Sequence, residues 1–324
     1  MEKTDLKNIL VTGCAGFIGC ATTKKLLKKG ISIVGIDNLN DYYNPKLKEW
    51  RLAQLKEYNA FKFYQIDIKD NNSLKDVFDK YSFDAIINLA ARAGVRASIE
   101  DPWVYLQTNV TGYLNILELA RKNNIKKIVC ASSSSVYGNA KMPFSEEQNT
   151  DKPVSQYAAT KKSAEVLSYT YHYLYGLDVT MLRYFTVYGP AGRPDMALLK
   201  FIKAIEENRE IVVFDDGTQK RDFTYVSDIA NGTIKALKPL GYEIINLGND
   251  RPVELRYLIS LIEENLGKKA KIQYKKRHPA DVKDTWADIN KARKLLDWEP
   301  RTNIEESVNR TVEWYKETKR LDLY

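Results

Sequence analysis

The feature that most constrains this chain is a glycine triplet set between an apolar run and a helix. Residues 8–12 read Asn-Ile-Leu-Val-Thr, the length of a strand buried in a parallel sheet. Gly13, Gly16 and Gly19 follow at GxxGxxG spacing. Residues 21–29 read as a helix with Lys24, Lys25, Lys28 and Lys29 on its wet side, and Gly30 ends it. Residues 31–36 form a second strand, with Asp37 at its carboxyl end. Together these predict a βαβ unit that holds a dinucleotide. The glycines let the backbone turn tightly against a pyrophosphate, and the new helix aims free N–H groups at it. Asp37 can accept both ribose hydroxyl protons and would repel a 2′-phosphate, so NAD is favoured over NADP. A glycine triplet alone could serve only turns; its register with both strands and the acid carries the reading.

The rhythm continues along the chain. Residues 40–58 interrupt it with a polar excursion that contains a helix over 45–55, expected to lie over the cofactor edge. Strands are predicted at 61–66, within 85–91 (a strand and its carboxyl-end loop), 127–132 and 179–184, and helices at 74–81, 106–123 and 157–175. Such alternation predicts an α/β fold, a Rossmann-type doubly wound parallel sheet with helices on both faces. After Tyr184 the elements shorten and Pro190, Pro194, Pro239, Pro252, Pro279 and Pro300 punctuate the loops. We read 1–187 as the NAD-binding domain and 188–324 as a smaller, interleaved α/β substrate lobe. A segment near 222–250 is expected to return to the first sheet through a strand at 243–248.

Composition removes other classes. The 324-residue chain is 44% apolar, enough for a sizeable core, without an apolar run long enough to span a bilayer. The first strand starts near residue 8, which leaves no room for a signal peptide. Cys14, Cys20 and Cys130 suit neither a disulfide framework nor a zinc site, so a cytoplasmic protein without a structural metal is expected. Only His172 and His278 are present, little material for histidine catalysis. The net charge of +8 is spread over helices rather than clustered. It argues for solvated faces, or attraction of a polyanionic small substrate, over nucleic-acid binding.

Two further motifs carry chemistry. Tyr157-Ala158-Ala159-Thr160-Lys161 is YxxxK on a helix, with both side chains on one face. An ordinary phenol titrates too high to be a base at neutral pH, and a nearby ammonium together with a cationic nicotinamide ring corrects that. Residues 132–138, Ser-Ser-Ser-Ser-Val-Tyr-Gly, follow the fifth strand. A hydroxyl there can bond the reacting sugar hydroxyl and relay its proton; it could otherwise cap the strand end.

The glycine triplet, the Asn88-Leu89-Ala90-Ala91 loop, the serine run and YxxxK, in this order, resemble the extended short-chain dehydrogenase/reductases over essentially the whole chain. Four stretches resemble the branch that epimerises UDP-glucuronate at C4: residues 37–47, 93–96, 183–201 and 220–226. The resemblance implies a catalytic set of Ser133, Tyr157 and Lys161. It implies NAD contacts at Gly13, Gly16, Phe17, Ile18, Gly19, Asp37, Asn38, Asp67, Ile68, Leu89, Ala90, Asn109, Tyr184 and Phe185, besides Tyr157 and Lys161. For the UDP-sugar it implies Thr186 and Arg193 near the sugar carboxylate and Lys200, Arg221 and Asp281 on the UDP, with Arg96, Ser133 and Ser134 also in the substrate set. Ala280 stands where relatives usually carry Gly, and His278 where an amide is common, which touches the fine geometry of the uridine site. Dehydrating relatives carry Asp-Glu before the Val-Tyr-Gly, and decarboxylating ones a Glu at the position of Ser135. This chain has Ser134 and Ser135 there. The expected activity is therefore NAD-dependent 4-epimerisation of a UDP-sugar acid through a 4-keto intermediate. An epimerase of UDP-glucose, a decarboxylase or dehydratase of the same fold, and a non-catalytic NAD-binding regulator are the alternatives. The resemblance also implies a homodimer through helices 106–123 and 157–175.

Overall fold

The computed structural model describes residues 6–276 and 282–324. It begins with β1 (Asn8–Thr12), α1 (Phe17–Lys28), β2 (Ser32–Asp37), α2 (Pro45–Lys56), β3 (Phe61–Gln65), α3 (Asn71–Lys80) and β4 (Ala85–Asn88). Next come α4 (Ala97–Glu100), α5 (Pro102–Leu106), a π-helical stretch Gln107–Gly112, α6 (Tyr113–Lys122), β5 (Lys127–Ser133), a 3-10 turn Ser134–Tyr137, α7 (Gln156–Tyr175) and β6 (Asp178–Tyr184). Then follow β7 (Thr186–Tyr188), α8 (Ala197–Glu206), β8 (Glu210–Phe214), β9 (Lys220–Arg221), β10 (Phe223–Tyr225), α9 (Val226–Lys235) and β11 (Tyr242–Leu247). The chain closes with β12 (Val253–Glu254), α10 (Leu255–Leu266), β13 (Lys271–Lys275), α11 (Asn290–Leu296) and α12 (Ile304–Thr318), and a final 3-10 turn.

Seven parallel strands form one sheet in the order β11-β6-β5-β4-β1-β2-β3. β4 and β5 are buried end to end because helices cover both faces of the sheet. On one face Leu26 and Leu27 of α1, Ile229 of α9 and Leu296 of α11 join Ile9, Val11 and Val129. On the other, Leu74 and Phe78 of α3, Ile116 and Leu117 of α6 and Ala164 of α7 pack against Leu10, Ile86 and Ile128. Since all strands point the same way, Thr12, Asp37, Asn88, Ser133, Tyr184 and Leu247 end on one rim. The strand order reverses at β1, with β2 and β3 to one side and β4 to the other. That is where an α/β sheet opens a crevice for a ligand.

A third core lies off this rim. Leu198 and Ile202 of α8, Leu258 and Ile262 of α10, and Val308 and Val312 of α12 pack together around β8 and β10 residues. Local signals set the helix ends. Ser155 caps α7 by accepting from the Ala158 N–H at 3.2 Å, and Gly176 ends it in the left-handed region at φ 66°. Asn44 caps α2 with Pro45 at its first turn. Among the described residues no helix is long and apolar enough to cross a membrane.

One expectation needs correction. Residues 106–123 are not one α-helix: the π-helical stretch Gln107–Gly112 lies between α5 and α6. The wider turn carries Asn109 inward. Its side chain accepts from the Arg92 N–H at 2.7 Å and donates to the Arg92 carbonyl at 2.9 Å and to Thr160 Oγ1 at 3.0 Å. Single π turns inside helices are frequent at functional sites, and this one ties the loop after β4 to α7. Gly112 permits it by lying against Ile68, whose Cγ1 would be 2.7 Å from an added Cβ.

The turn after β1 tolerates no side chain at Gly19. A Cβ on Gly19 would stand 2.0 Å from the Gly13 carbonyl oxygen, which is backbone and cannot swing away. Gly19→Ala should therefore destabilise the chain by about 3 kcal/mol, the upper part of the usual overpacking range. Urea unfolding checks this, and a loss below about 1 kcal/mol would mean that α1 can slide.

Candidate active site

The glycine turn builds an anion cradle. Gly13 adopts φ +70°, and a Cβ there would meet the Ala90 nitrogen at 2.7 Å. Gly16 caps α1 without a side-chain acceptor, and the first turn of α1 holds no acid. The amides of Phe17, Ile18 and Gly19 are thus the leading donors of a helix N-terminus, where phosphate oxygens bind well. Thr12 Oγ1 donates to Asn88 Oδ1 at 2.6 Å and accepts from the Ala90 N–H at 3.3 Å, which holds Leu89 and Ala90 against the turn.

Asp37 lies at the end of β2, 8% exposed. Its two oxygens accept from the Ala15 N–H at 3.1 Å and the Leu39 N–H at 2.9 Å. Burial pushes its carboxyl above the usual range, and these N–H groups oppose that. Each oxygen keeps a further lone pair for a ribose hydroxyl. Asn38 Nδ2 donates to Asp67 Oδ2 at 2.9 Å, and Asn115 Nδ2 to the Ile68 carbonyl at 3.0 Å, so the segment after β3 is fixed beside Asp37. A narrow glycine cradle, free helix amides and an acid at the next strand end fit NAD.

The chemistry-bearing residues lie at the end of β5 and on α7, which packs beside it. Ser133 is buried there and its Oγ accepts from the Ser135 N–H at 3.2 Å. Ser134 follows in the 3-10 turn, half-buried. Across from them α7 presents Tyr157, half-buried, and Lys161, buried, whose Nζ donates to the Ala131 carbonyl at 2.8 Å. Lysine at this position is thereby pinned to the strand that ends in Ser133. The Tyr157 ring meets Tyr105 edge-on with centroids 6.2 Å apart, and the Tyr105 hydroxyl donates to the Ala93 carbonyl at 3.0 Å.

Behind this rim lies a buried ion pair. Arg183 donates from Nε and Nη2 to the two oxygens of Glu165, both at 2.8 Å. Glu165 Oε1 also accepts from Ser132 Oγ at 2.6 Å, next to Ser133. The Arg183 guanidinium lies 4.7 Å from the Tyr137 ring centroid, and the Tyr137 hydroxyl donates to Asn246 Oδ1 at 2.7 Å. This network joins α7, β5, β6 and β11. Glu165 lies one turn beyond Lys161, so the helix face reads Tyr157, Lys161, Glu165.

A second group of expected site residues begins at β7. A small pocket, open to solvent, is lined by Phe17, Thr186, Arg193, Met196 and Leu199 among others, and so adjoins the start of α1. Arg193 forks onto Asp195, with Nε at 3.0 Å and Nη2 at 2.5 Å from its oxygens. Tyr184 turns its hydroxyl into the core, 2.8 Å from Thr233 Oγ1, and Phe185 packs near Tyr137 and Phe144. Lys200 projects from the exposed face of α8. Arg221 donates to the carbonyls of Lys220 at 3.1 Å, Val282 at 2.7 Å, and Lys283. The Arg96 guanidinium lies 4.3 Å from the Phe214 ring centroid, across the cleft from β4 to β8. Asp281 lies outside the described residues, as does His278.

Several residues at the site were not singled out from sequence. Asp222 follows Arg221 and is fully buried. Its oxygens accept from the N–H groups of Asn249, Asp250 at 3.1 Å and Ala287 at 2.9 Å, which ties β9 and β10 to the ends of β11 and the chain before α11. Burial pushes its carboxyl up to about 6 against the pull of those donors. Lys48 is buried as well, donating to the Asn40 carbonyl at 2.6 Å, and burial lowers it to about 8. Arg51 is 1% exposed. One signal was present for it: Arg51 sits at helical spacing from Leu47 and Leu55, on the apolar stripe of α2.

The chain is similar to known proteins over nearly its whole length. A family model described as GDP-mannose 4,6 dehydratase matches residues 10–311. UDP-glucuronate 4-epimerase of Thermodesulfobacterium geofontis is 59% identical over 309 residues, 95% of this chain and 96% of the relative. The crystal structure of UDP-glucuronic acid 4-epimerase from Bacillus cereus, in complex with UDP-glucuronic acid and NAD, superposes with TM-score 0.89 at 36% identity, covering 96% of this chain and 99% of that one. A UDP-glucose 4-epimerase from Thermotoga maritima, with UDP-glucose, also gives 0.89 at 31% identity, with the same coverage.

The ion pair behind Ser133 has a measurable consequence. Glu165→Leu leaves the Arg183 charge buried and unpaired and should cost about 3–5 kcal/mol, whereas Glu165→Leu with Arg183→Met should recover most of it. A double-mutant cycle by urea unfolding reads this, and additive losses would show that the two groups do not depend on each other.

Proposed function

The chain belongs to the extended short-chain dehydrogenase/reductase family of NAD-dependent epimerases and dehydratases, and from that membership we propose that it inverts C4 of UDP-glucuronate to give UDP-galacturonate through a 4-keto intermediate. The observation that carries the reading is the rim of β5. Buried Ser133 ends β5, the α7 that bears Tyr157 pins Lys161 to the same strand, and the turn that follows holds two serines and no acid.

NAD, when bound, supplies the two-electron chemistry by which the C4 hydrogen is removed and restored. The chain does the rest. Phe17, Ile18 and Gly19 amides hold the pyrophosphate, Asp37 the ribose, and Asp67 and Ile68 flank the adenine side. Asn38, Leu89, Ala90, Asn109, Tyr184 and Phe185 complete that set of contacts. Tyr157 takes the proton of the 4-hydroxyl, with Ser133 bonding the same hydroxyl and relaying the proton. Lys161 presents its positive charge on the same helix face and attracts the negative charge that the tyrosine oxygen must carry. Ser134 and Ser135 supply no acid that could expel a neighbouring hydroxyl, so the ketone is returned as an alcohol. Between the two transfers the sugar turns about its phosphate bonds and shows its other face.

The 4-keto intermediate is a β-keto acid. It loses CO2 when the bond to its carboxylate stands perpendicular to the carbonyl plane. An epimerase must hold the carboxylate away from that geometry. Arg193 is suited to this, because a guanidinium forks onto both carboxylate oxygens and an ammonium cannot. Its present partner, Asp195, is exposed, so a sugar carboxylate can share or take over the fork at little cost. Thr186 adds a hydroxyl, Lys200, Arg221 and Asp281 hold the UDP, and Arg96 borders the cleft.

Two copies pair in this reading. Trp103 is 70% and Tyr173 76% exposed, and Leu114, Val166, Tyr169 and Leu174 are exposed with them on α5, α6 and α7. A second copy laid across these helices would cover the patch. A reducing cytoplasm suits Cys14, Cys20 and Cys130, which are buried free thiols.

The reading is tested by proton NMR of UDP-glucuronate with purified protein. The galacturonate epimer should accumulate to equilibrium with no net change in NAD. A UDP-pentose or a dehydrated sugar as the main product would replace the reading. Tyr157→Phe should lower turnover by about a hundredfold or more, the scale of losing a general base, with UDP-sugar binding retained; near-normal turnover would place the base elsewhere.

A further inference from the structure

Arg51 is the most completely buried cation of the excursion between β2 and β3, and its acceptors are neutral. Nε donates to the Ala191 carbonyl at 3.0 Å, and Nη2 to Ala191 at 2.7 Å and Gly192 at 3.0 Å. Nη1 donates to the Ala15 carbonyl at 3.2 Å and the Tyr43 hydroxyl at 2.7 Å. All five donors of the guanidinium are thus used. Two of the acceptors lie in the loop directly before Arg193, and a third in the glycine turn that starts α1.

The same excursion grips that loop a second time. The Tyr42 hydroxyl donates to Asp195 Oδ2 at 3.4 Å, and the Arg193 guanidinium lies 5.5 Å from the Tyr42 ring centroid. Ala191 is held at φ +56°, a conformation side chains disfavour. A loop bent that way stays bent only if its surroundings fix it. Burying a guanidinium on neutral acceptors is costly for stability, so the arrangement has to be explained by what it positions.

We propose that Arg51 is a positioning residue for sugar-acid recognition: with Tyr42 and Tyr43 it clasps loop 191–195 against the cofactor turn, and so sets where Arg193 meets the carboxylate. The proposal rests on the reading that Arg193 grips the sugar carboxylate. It makes the excursion a specificity element, because the clasp fixes the carboxylate reader without touching the sugar ring or the UDP. Lysine could keep the charge but not the reach, since three donors at one point cannot serve two loops at once.

The test uses the full chain with NAD present and measures the dissociation constants of UDP-glucuronate and UDP-glucose by calorimetry. Arg51→Lys, Tyr43→Phe and Arg193→Ala are compared with the parent. Arg51→Lys should weaken UDP-glucuronate by about tenfold, the scale of one charge-assisted hydrogen bond, and UDP-glucose by less than about twofold. Tyr43→Phe should act in the same direction and less strongly. A purely structural Arg51 would weaken both sugars alike, and that result, or an unchanged ratio, overturns the proposal. If Arg51→Lys does not fold, the ratio in Tyr43→Phe decides in the same terms. Selective loss in Arg193→Ala without it in the other two removes the clasp alone. An unchanged ratio in Arg193→Ala removes both the clasp and the reading of Arg193.

Discussion

Helix α1 can begin where it does only because nothing stands between Gly19 and the Gly13 carbonyl, which would be 2.0 Å from a Cβ. That contact sets the height of α1 over β1. It brings the first amides of the helix to the crevice where the strand order reverses, and it leaves Gly13 open to the Ala90 backbone. The loop after β4 can then lie against the turn, held by Thr12 and Asn88. From that loop the chain passes to Asn109 and on to Thr160 of α7. The position of α7 is thus referred back, through a few short bonds, to the glycine turn.

A second chain of dependence runs through buried charge. Glu165 and Arg183 connect the helix of Tyr157 to the strand that leads into β7, and Ser132 ties β5 into the same pair. Asp222 performs a similar joining for the smaller lobe, gathering N–H groups from beyond β11 and from before α11. Each group would be costly alone in the core and is tolerated because partners surround it. Both sit directly behind residues expected to touch substrate: Ser133 in one case, Arg221 in the other. The outer rim is therefore polar and adjustable, while its support is fixed by interactions that cannot be half made.

The fold was legible because the sheet is parallel and doubly covered. Runs such as residues 85–87 and 128–131 are apolar throughout, and helices of ordinary length separate them. The glycine spacing and Asp37 located the crevice for a physical reason, since each fills a backbone need that other residues do not. The π stretch at Gln107–Gly112 was not legible: shifting a few hydrogen bonds by one residue leaves the apolar spacing almost unchanged. Arg51 and Lys48 read as ordinary solvated cations, because a helix rich in lysine looks wet all round. Only the neighbours Leu47, Leu52 and Leu55 betray that this face is buried. Asp222 was passed over for its neighbour Arg221, since burial depends on strands and loops far apart in sequence.

In the proposed mechanism one rim of residues both oxidises C4 and restores it, with the same hydrogen returned to the opposite face. UDP-glucuronate carrying deuterium at C4 tests this directly. Incubated with the protein in ordinary water, it should give UDP-galacturonate that keeps the deuterium at C4, with mass spectrometry and proton NMR showing no wash-out over many turnovers. Product that has exchanged C4 deuterium for solvent hydrogen would contradict the account, because inversion would then proceed by loss of the C4 hydrogen as a proton.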